Sequence, residues 1–305
     1  MAAPKLSLHI QRRTLASLTT LGVGGDVEVW ELTDPSTLLE DLQRATDAPY
    51  RILGAGSNIL AADSGVPERV IKFGRGFNSM TDFEAALDRG ETSMWLAAAT
   101  PLPGLVRRAA MWGMSGLEGL LGVPAVLGGA LAMNAGTRFG DMAAVVSDVE
   151  LFVDGKLERL PASDITFNYR HTNLPEGAII TAAKLALTAS SPDAVKIRLA
   201  EVDAARKGQP KIKSAGCAFK NPPGDSAGRL IDQAGLKGLT VGAAMVSYEH
   251  GNFIVNQGGA SATDVLTLLA RIQEVLPQLE PEWRLWGVDA HVHDVYDAKG
   301  TSCAA

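Results

Sequence analysis

Short runs in which apolar and polar residues alternate dominate the first two thirds of the chain. Each run is bounded by Gly, Asp or Pro, and a period of two residues is typical of strands that bury one face. Strands are therefore predicted at Asp26–Leu32, Tyr50–Leu53, Arg69–Phe73, Met94–Ala97 and Val149–Val153. Helical patterns fall between them, at Pro35–Ala45 and Leu102–Met114. This mixture predicts an α+β or α/β fold.

Stronger helix signals follow residue 190. Ser190-Ser191-Pro192-Asp193 supplies an N-cap serine, a proline at the first helical position and an early acid. The helix that follows ends on Arg206-Lys207, with Gly208 as its C-terminal cap. A second helix is predicted over Ser261–Leu279. The two helices flank a segment dense in glycine and polar residues, which indicates a smaller domain over residues 190–280.

Length, charge and cysteine content limit the classes of protein to consider. At 305 residues, of which 46% are hydrophobic, about two domains with substantial cores are expected. A net charge of −6, from 28 Lys and Arg against 34 Asp and Glu, argues against a nucleic-acid-binding chain with a clustered basic surface. Two cysteines, Cys217 and Cys303, are too few for a disulfide framework or a multi-cysteine zinc site, so a reducing compartment is expected.

The longest uncharged stretch, Gly119–Thr137, has the length of a membrane span but not its composition. It holds five glycines, one proline and one asparagine, which indicates buried irregular backbone instead. The first thirty residues carry charges at Lys5, Arg12, Arg13 and Asp26 and contain no apolar run of the kind found in secretory signals. We therefore expect a cytoplasmic protein.

Three glycine-rich segments are candidates for ligand binding. LGAGSNIL at 53–60 follows a predicted strand, and its backbone N–H groups can converge on a phosphate; a tight turn without a ligand explains the same residues. The glycines of segment 116–140 permit the close approach of a flat ligand or, alternatively, close packing of core backbone. In SAGCAFKNP at 214–222, Cys217 is either a reactive group near Lys220 and Asn221 or a small core hydrophobe.

Taken together, eight motifs in order resemble one family, the bacterial UDP-N-acetylenolpyruvoylglucosamine reductases (MurB), which are flavoenzymes of peptidoglycan precursor synthesis. The motifs are LGVGG (21–25), LGAGSNIL (53–60), GLEGLLGVP…GGALAMNAG (116–136), NYRHT (168–172), SAGCAFKNP (214–222), AGRLIDQAGLKG (227–238), HGNFIVN (250–256) and LEPEWRLWG (279–287). They span nearly the whole chain, and it is their number and order, rather than any one motif, that is specific.

The resemblance implies an α+β protein. It predicts a FAD-binding fold of the vanillyl-alcohol-oxidase (PCMH) type in two α+β subdomains, together with a smaller α+β substrate-binding domain. The implied division is residues 1–50 with 281–305 for FAD-binding subdomain 1, residues 51–189 for FAD-binding subdomain 2, and residues 190–280 for the substrate-binding domain. The start of the last domain agrees with the boundary that the helix caps indicate.

The resemblance also implies the cofactor and the reaction. In the family, NADPH reduces FAD, and the reduced flavin delivers hydride to the enolpyruvyl group of UDP-N-acetylglucosamine enolpyruvate to give UDP-N-acetylmuramate. The cofactor-binding residues implied by similarity are Gly54, Ala55, Gly56, Ser57, Asn58, Glu118, Gly122, Val123, Gly128, Gly129, Asn134, Ala135, Gly136 and Ile180. The implied partners are the nucleotide-sugar substrate and NADPH, and we expect a monomer without nucleic-acid or membrane partners.

Three residues match the family's catalytic positions. Hydride addition places negative charge on the enolpyruvyl carboxylate, so a cation must face it. Arg170 matches the family arginine at that carboxylate, and Glu282 matches a glutamate there, protonated or sharing a proton because a bare carboxylate would repel the substrate. Cys217 stands where the family commonly has a serine proton donor, and a free thiol, with a pKa of about 8.5, is a far stronger acid than an alcohol.

Substrate contacts and departures from the family pattern complete the comparison. The substrate-binding residues implied by similarity are Tyr169, Lys220, Asn221, Arg229, Gln233, Lys237 and Asn252. Their cations suit a diphosphate and their amides suit base edges, although Arg229 and Lys237 are alternatively ordinary surface charges. Glu249 replaces a family lysine, and Val126 lacks a hydroxyl that would hydrogen-bond FAD.

Two other interpretations stay open. A FAD oxidase of the same fold would share the FAD loops but would not need Arg170, Cys217 and Glu282. A degenerate flavin-binding or nucleotide-sugar-binding protein would account for Glu249 and Val126. His291 and His293 form a strand-spaced pair without a matched third ligand, so no metal site is expected there.

Overall fold

The computed structural model describes residues 7–288, over which the chain forms two compact units. Unit 1 contains the described part of Met1–Gln11 together with Val29–Ala55 and Arg69–Lys207. Unit 2 contains Arg12–Glu28, Gly56–Glu68 and the described part of Gly208–Ala305. Residues 190–207 therefore group with unit 1 and residues 281–288 with unit 2. The three-part division implied by the family resemblance stays a prediction.

The structure combines many short strands with seven α-helices in the described range. The strands are β1 (Leu8–Thr14), β2 (Asp26–Leu32), β3 (Tyr50–Ile52), β4 (Ile59–Ala61), β5 (Arg69–Phe73), β6 (Ser93–Ala97), β7 (Met114–Ser115), β8 (Gly136–Thr137), β9 (Gly140–Asp141), β10 (Val146–Val153), β11 (Lys156–Pro161), β12 (Thr166–Asn168), β13 (His171–Asn173), β14 (Ile179–Ala186), β15 (Thr188–Ala189), β16 (Ser214–Cys217), β17 (Thr240–Val241), β18 (Ala244–Val246), β19 (Phe253–Asn256) and β20 (Arg284–Trp286). The helices are α1 (Leu38–Ala45), α2 (Met80–Asp88), α3 (Leu102–Met111), α4 (Leu127–Ala132), α5 (Pro192–Ala205), α6 (Ala227–Gln233) and α7 (Ala262–Val275). Single 3-10 turns lie at Leu15–Ser17, Pro35–Thr37, Arg75–Phe77, Glu118–Leu120, Met142–Ala144 and Ala162–Asp164.

Two four-stranded sheets account for most strands of unit 1, and β1 and β2 of the first sheet run partly in segment Arg12–Glu28. The first has the order β1-β2-β5-β3, with β2 and β3 both parallel to β5. The second has the order β11-β10-β14-β6 and is antiparallel throughout. Its β10–β11 hairpin turns on Asp154-Gly155, where both residues have positive φ angles, as a two-residue turn that follows the strand twist requires.

Apolar residues of unit 1 form two cores, and the second of these also takes in Phe152 of β10 and Ile179 of β14. One core is formed by residues that include Phe83 of α2, Leu96 of β6, Leu105 of α3, Val149 of β10 and Leu185 of β14. The other includes Trp30, Leu32, Leu42, Ile71 and Phe77. The alternation seen in the sequence therefore places one face of each predicted strand in a core.

Most predicted elements form with small changes at their ends. β2 and β5 have the predicted bounds, and β3, β6 and β10 differ at one end each. The helix predicted over 102–114 ends at Met111, because Gly113 takes a left-handed conformation with φ 67°. The helix predicted over 261–279 ends at Val275, because Pro277 disfavours helical backbone at the residue before it.

The start of α5 and the uncharged stretch Gly119–Thr137 were each predicted from local sequence signals. Ser191 caps α5, as its oxygen accepts the N–H of Ala194 at 3.2 Å, and Pro192 begins the helix. The uncharged stretch Gly119–Thr137 forms the six-residue α4 between turns. Among residues 7–288, no helix has both the length and the apolar character that crossing a membrane demands.

The antiparallel sheet of unit 2 has the order β16-β19-β18-β17, and β20 pairs in parallel with β4. Helix α7 packs its apolar side into the core of this unit. Core residues include Phe219, Ile231, Ile254, Val265, Leu268, Leu269, Ile272 and Trp283. The site residues of unit 2 are therefore carried by backbone that is anchored on one continuous core.

Helix α7 is capped from two directions. Ser261 and Asp264 form a capping box, in which each side chain accepts the backbone N–H of the other at 3.0 Å. Asp63 also accepts the N–H of Ala262 at 2.7 Å and both the N–H and the hydroxyl of Thr263, at 3.0 and 2.9 Å. Burial alone would raise the pKa of the Asp63 carboxyl, but these hydrogen bonds together hold it below its ordinary value.

The substitution Asp63→Asn should destabilise the protein by about 1–2 kcal/mol at neutral pH, because it weakens the charge-assisted cap. A carboxyl with a lowered pKa in the folded state stabilises above its unfolded pKa of about 3.9, and that stabilisation is lost as pH falls through the folded value. The difference in the free energy of unfolding between wild type and Asp63→Asn should therefore become smaller below about pH 4. Urea unfolding followed by circular dichroism at several pH values measures both effects.

The matched control is Ser261→Ala, which removes the hydroxyl of the same cap. Since a hydroxyl does not titrate in this range, its destabilisation should stay constant between pH 7 and the acid limit of the folded state. Equal stability of wild type and Asp63→Asn at neutral pH would show that the charge of Asp63 at the start of α7 does not contribute to the free energy of unfolding.

Candidate active site

Unit 1 contains a cleft with an empty volume of about 660 Å³, which includes the solvent-open space at its mouth. Its walls are almost entirely apolar or glycine, and they come from the ends of β3, β5, β6 and β14 and from the start of α4. The lining residues are Ile52, Leu53, Gly54, Lys72, Phe73, Ala98, Ala99, Val126, Gly128, Gly129, Ala132, Leu174, Ala178, Ile179 and Ile180. Four of the predicted cofactor residues, Gly54, Gly128, Gly129 and Ile180, are among them.

The glycines of this cleft bring backbone segments together. A Cβ on Gly128 would lie 2.9 Å from the Cβ of Ala98, and one on Gly54 would lie 3.2 Å from Val126 Cγ2. The N–H of Gly128 donates to the carbonyl of Ala98 at 2.9 Å, which fixes the start of α4 against the end of β6. Side chains on these glycines would collide with Ala98 and Val126, which also line the cleft, and the apolar walls fit a ligand that is flat and largely apolar.

Lys72 is the only charged side chain among the described residues that line the cleft. It lies in β5, where its register partner is Glu31 of β2. An ammonium group at the edge of an apolar cleft favours an anionic group on the ligand. No motif marks this residue, since one lysine in a strand is ordinary.

Other predicted cofactor residues of unit 1 lie in turns around segment 116–123. Both Glu118 oxygens are engaged, one by the Ser115 hydroxyl at 2.7 Å and one by the Gly116 N–H at 2.6 Å. Gly122 is covered by Arg206, whose guanidinium donates to the Gly122 carbonyl at 3.0 Å. Val123, like Ala135 further along the chain, is half-buried against the main core of unit 1. For these residues a cofactor contact stays a prediction.

Arg170 lies in the two-residue turn between β12 and β13. It has φ 57°, a left-handed conformation that residues with a Cβ rarely adopt. Its Nη1 donates to the carbonyl of Gly136 at 3.1 Å, and its guanidinium lies 5.0 Å from the ring centre of Tyr169. The turn therefore presents Arg170 from a strained backbone, which is a common feature of functional residues.

The loop Gly56–Asn58 belongs to unit 2. Gly56 has φ 66°, and a Cβ there would lie 2.3 Å from the carbonyl oxygen of Leu18, so only glycine fits. Asn58 donates from Nδ2 to the carbonyl of Glu282 at 3.3 Å, and its own carbonyl accepts the N–H of Arg284 at 3.0 Å. Ala55 and Ser57 are half-buried. Asn58 therefore supports the segment that carries Glu282, and its predicted phosphate contact is untested.

The structure brings Cys217 and Glu282 onto neighbouring segments of unit 2. The carbonyl of Ala218 accepts the Glu282 N–H at 2.8 Å, and Phe219 pairs with Pro281 in an antiparallel bridge. Trp283 donates from its indole nitrogen to the carbonyl of Ala215 at 2.9 Å. Cys217 forms no disulfide within the described part of the chain, and both Cys217 and Glu282 are half-buried. A thiol and a carboxyl group thus stand on paired backbone.

The predicted substrate cations are held by nearby carboxylates. Lys220 Nζ lies 3.2 Å from Glu280 Oε2, and Lys237 Nζ lies 2.7 Å from Asp232 Oδ2. Arg229 pairs with Asp225, with Nε 2.6 Å from Oδ1, and this hydrogen bond lowers the pKa of Asp225 below its ordinary value. These pairs are largely exposed and so individually weak.

The predicted substrate amides have structural contacts as well. Asn221 Oδ1 accepts the N–H of Ala227 at 3.0 Å at the start of α6, and Gln233 is exposed. Asn252 is buried; its Oδ1 accepts the Phe219 N–H at 2.9 Å and its Nδ2 donates to the Phe219 carbonyl at 2.8 Å. Asn252 therefore positions the segment after Cys217, a role that the sequence did not indicate. Its contact with substrate stays a prediction.

The two departures from the family pattern have local explanations. The hydroxyl of Ser247 donates to Glu249 Oε2 at 2.5 Å and lowers the pKa of that carboxyl below its ordinary value. Val126 lines the cleft and packs near Gly54, so an apolar wall takes the place of a hydroxyl. His291, His293 and Cys303 lie outside the described residues, within which no cluster of potential metal ligands occurs.

Two segments of the chain match known family models. Residues 209–285 match the family model described as UDP-N-acetylenolpyruvoylglucosamine reductase, C-terminal domain, and residues 36–160 match that of a FAD binding domain. The UDP-N-acetylenolpyruvoylglucosamine reductase of Thermus thermophilus is 53% identical over 92% of this chain and 100% of its own length. The enzyme of that name from Deinococcus radiodurans is 46% identical over 91% of this chain and 96% of its own.

A solved structure extends the likeness to the fold. The crystal structure of UDP-N-acetylenolpyruvylglucosamine reductase (MurB) from Thermus caldophilus superposes with a TM-score of 0.85 at 54% identity, covering 92% of this chain and 99% of that one. The predicted α+β class with a FAD-binding fold is thereby confirmed. The chain belongs to the UDP-N-acetylenolpyruvoylglucosamine reductase (MurB) family.

Proposed function

We propose that this chain catalyses the NADPH-dependent reduction of UDP-N-acetylglucosamine enolpyruvate to UDP-N-acetylmuramate, a step of peptidoglycan precursor synthesis. It matches reductases of this family over nearly its whole length. The observation that carries the proposal is the pairing of Ala218 with Glu282, because it sets Cys217 and Glu282 on adjacent segments. The substrates are water-soluble nucleotides, and we propose that the protein acts on them in the cytoplasm as a monomer.

The cleft of unit 1 suits FAD. Gly54, Gly128, Gly129 and Ile180 would hold it through backbone and apolar contacts, and Lys72 would face its diphosphate. When bound, FAD takes a hydride from NADPH and supplies it to C3 of the enolpyruvyl group. The apolar walls would keep water away from the bound group.

Arg170 would stabilise the charge that develops during reduction. As hydride adds at C3, negative charge spreads from C2 onto the substrate carboxylate, and a guanidinium can bind both carboxylate oxygens. Its turn fixes the backbone at an unusual φ angle, and its bond to Gly136 restrains the side chain. A group held in place before the reaction stabilises developing charge without a reorganisation cost.

Cys217 and Glu282 would complete the addition. The carbanion-like C2 must receive a proton, and a neutral thiol can give one at neutral pH. Glu282, in its protonated form, would donate a hydrogen bond to the substrate carboxylate. Asn252 and Trp283 hold the backbone on both sides of these residues, which supports a fixed distance between donor and substrate.

The purified protein loaded with FAD should lose its flavin absorbance when NADPH is added without oxygen. UDP-N-acetylglucosamine enolpyruvate should then restore the absorbance much faster than dissolved oxygen does, because the substrate is the natural hydride acceptor. Stopped-flow spectroscopy measures both rates. Faster reoxidation by oxygen would favour an oxidase, and a protein that binds no flavin would exclude the proposal.

The substitution Cys217→Ala should slow substrate reduction by about 10²–10⁴-fold, since general acid catalysis contributes that much. Flavin reduction by NADPH should be unchanged, because it needs no proton at C2 of the substrate. Cys217→Ser, which keeps a donor, should recover part of the rate. Single-turnover measurements of the two half-reactions separate these effects, and an unimpaired alanine variant would remove Cys217 from the mechanism.

Lys72→Gln should weaken FAD binding to the apoprotein by roughly tenfold, because a charged contact with the diphosphate is lost. Riboflavin, which has no phosphate, should bind wild type and variant equally. Flavin fluorescence titration at two salt concentrations measures both affinities, and the salt dependence of FAD binding should fall in the variant.

The control for Lys72→Gln is Lys156→Gln, which removes an exposed lysine of β11 that pairs with Glu158. It should leave both affinities as in wild type. If Lys72→Gln weakened riboflavin as much as FAD, the lysine would act through the shape of the cleft and not through charge.

A further inference from the structure

Asn134 lies between α4 and β8, with only 5% of its surface exposed. Its φ of 38° places it in the left-handed region, which asparagine tolerates better than most residues. Its side chain makes three hydrogen bonds inside unit 1. Nδ2 donates to the Asn168 carbonyl and to Asp141 Oδ2, each at 3.2 Å, and Oδ1 accepts the Ala143 N–H at 3.0 Å.

The bond to Asn168 belongs to a series that anchors the β12–β13 hairpin. Asn168 is the last residue of β12, two positions before Arg170. Arg170 Nη1 donates to the Gly136 carbonyl at 3.1 Å, and the Thr172 hydroxyl donates to the Leu131 carbonyl at 2.6 Å. Alternate hairpin residues are thus tied to the single segment that runs from α4 to β8.

The turn needs such anchors because Arg170 is itself left-handed, at φ 57°. A residue with a Cβ holds that conformation only where the surroundings fix it. Of the three bonds in the series, two come from side chains of the hairpin, and the Asn134 bond alone reaches the hairpin backbone from outside. Asparagine suits the position, since its one planar group donates twice and accepts once.

We propose that Asn134 is a positioning residue, which holds the β12–β13 turn so that Arg170 presents its guanidinium to the substrate carboxylate. This inference rests on the proposed function, because it takes from it the role of Arg170. Aspartate would not serve at position 134, since its carboxylate cannot donate to Asn168 and would face the carboxylate of Asp141.

The test uses Asn134→Gly, which removes the side chain while keeping a residue that tolerates the left-handed backbone. Substrate reduction should slow by roughly 10²-fold, as expected when a catalytic group is displaced by about 1 Å. FAD affinity and flavin reduction by NADPH should stay within about twofold of wild type, in contrast to the cofactor contact that the family resemblance implies for Asn134, because its side chain bonds to protein groups. A loss of FAD affinity or of NADPH reduction would instead assign Asn134 to the cofactor and overturn the positioning role.

A double-mutant cycle shows whether the effect passes through Arg170. In the Arg170→Ala background, Asn134→Gly should cause no further loss of rate, because the group it positions is absent. Two losses that multiply would contradict the proposal. The control is Asp154→Gly, which changes another left-handed residue, in the β10–β11 turn, and should leave all rates unchanged.

Hydrogen exchange measured by mass spectrometry supplies a readout that does not depend on turnover. Asn134→Gly should speed amide exchange in the peptide covering Thr166–Asn173 and leave the β10–β11 hairpin unchanged. Unchanged exchange at 166–173 would overturn the proposal even if activity fell. If wild type failed to reduce the substrate, the proposed function would be wrong, and exchange would still report whether Asn134 anchors the turn.

Discussion

Backbone groups that are removed from water must find hydrogen-bond partners, and in this protein three buried asparagines supply them where regular structure ends. Asn252 pairs with both the N–H and the carbonyl of Phe219. Asn256 accepts the N–H groups of Gly258 and Ala260 and donates to the carbonyls of Leu21 and Gly22. Asn134 does the same for Ala143 and Asn168. Each asparagine joins segments that are distant in sequence.

These junctions matter because the candidate catalytic residues stand on irregular backbone. Cys217 ends β16 after a register shift that lies between Ser214 and Cys217, and Glu282 lies outside the regular strands. Without Asn252, the peptide of Phe219 would be buried with unsatisfied groups, which costs more than the loss of an exposed hydrogen bond. In unit 2, the hydrogen bonds of Asn252 that satisfy buried backbone groups therefore also hold the segment after Cys217. In unit 1, the hydrogen bond from Asn134 to Asn168 does the same for the turn that carries Arg170.

Local signals in the sequence predicted several helices and strands, but they did not predict contacts between residues that are distant in sequence. β2 and β5 formed with the predicted bounds because alternation and flanking turn residues define both ends. Pro277 and Gly113 were visible stop signals that would have corrected the ends of two helices. The Asp63 cap on α7 joins residues 199 positions apart, and no periodic pattern of residues predicts such a contact.

The site shows the same limit. The family resemblance singled out Arg170, Cys217 and Glu282 by their motifs, but a motif does not specify the contacts that hold a side chain in place. Lys72 carried no motif, and its place in an apolar cleft depends on how four strand ends and a helix meet. Asn252 and Asn134 fell within recognised motifs, and only their hydrogen-bond partners, more than thirty residues away, reveal what they hold.

A chain of net charge −6 that binds anionic nucleotides needs positively charged side chains at the places where those ligands bind. In unit 2, the cations proposed for the substrate lie in pairs with neighbouring carboxylates, as Lys220 with Glu280 and Lys237 with Asp232. Exposed pairs of this kind contribute about 0–1 kcal/mol, so a diphosphate can displace the carboxylate partner at small cost. In the proposed function, each pair keeps its cation oriented and partly neutralised before the substrate binds. Acidic composition and anion binding would then be compatible, because each proposed exchange is local, from one carboxylate to one phosphate oxygen.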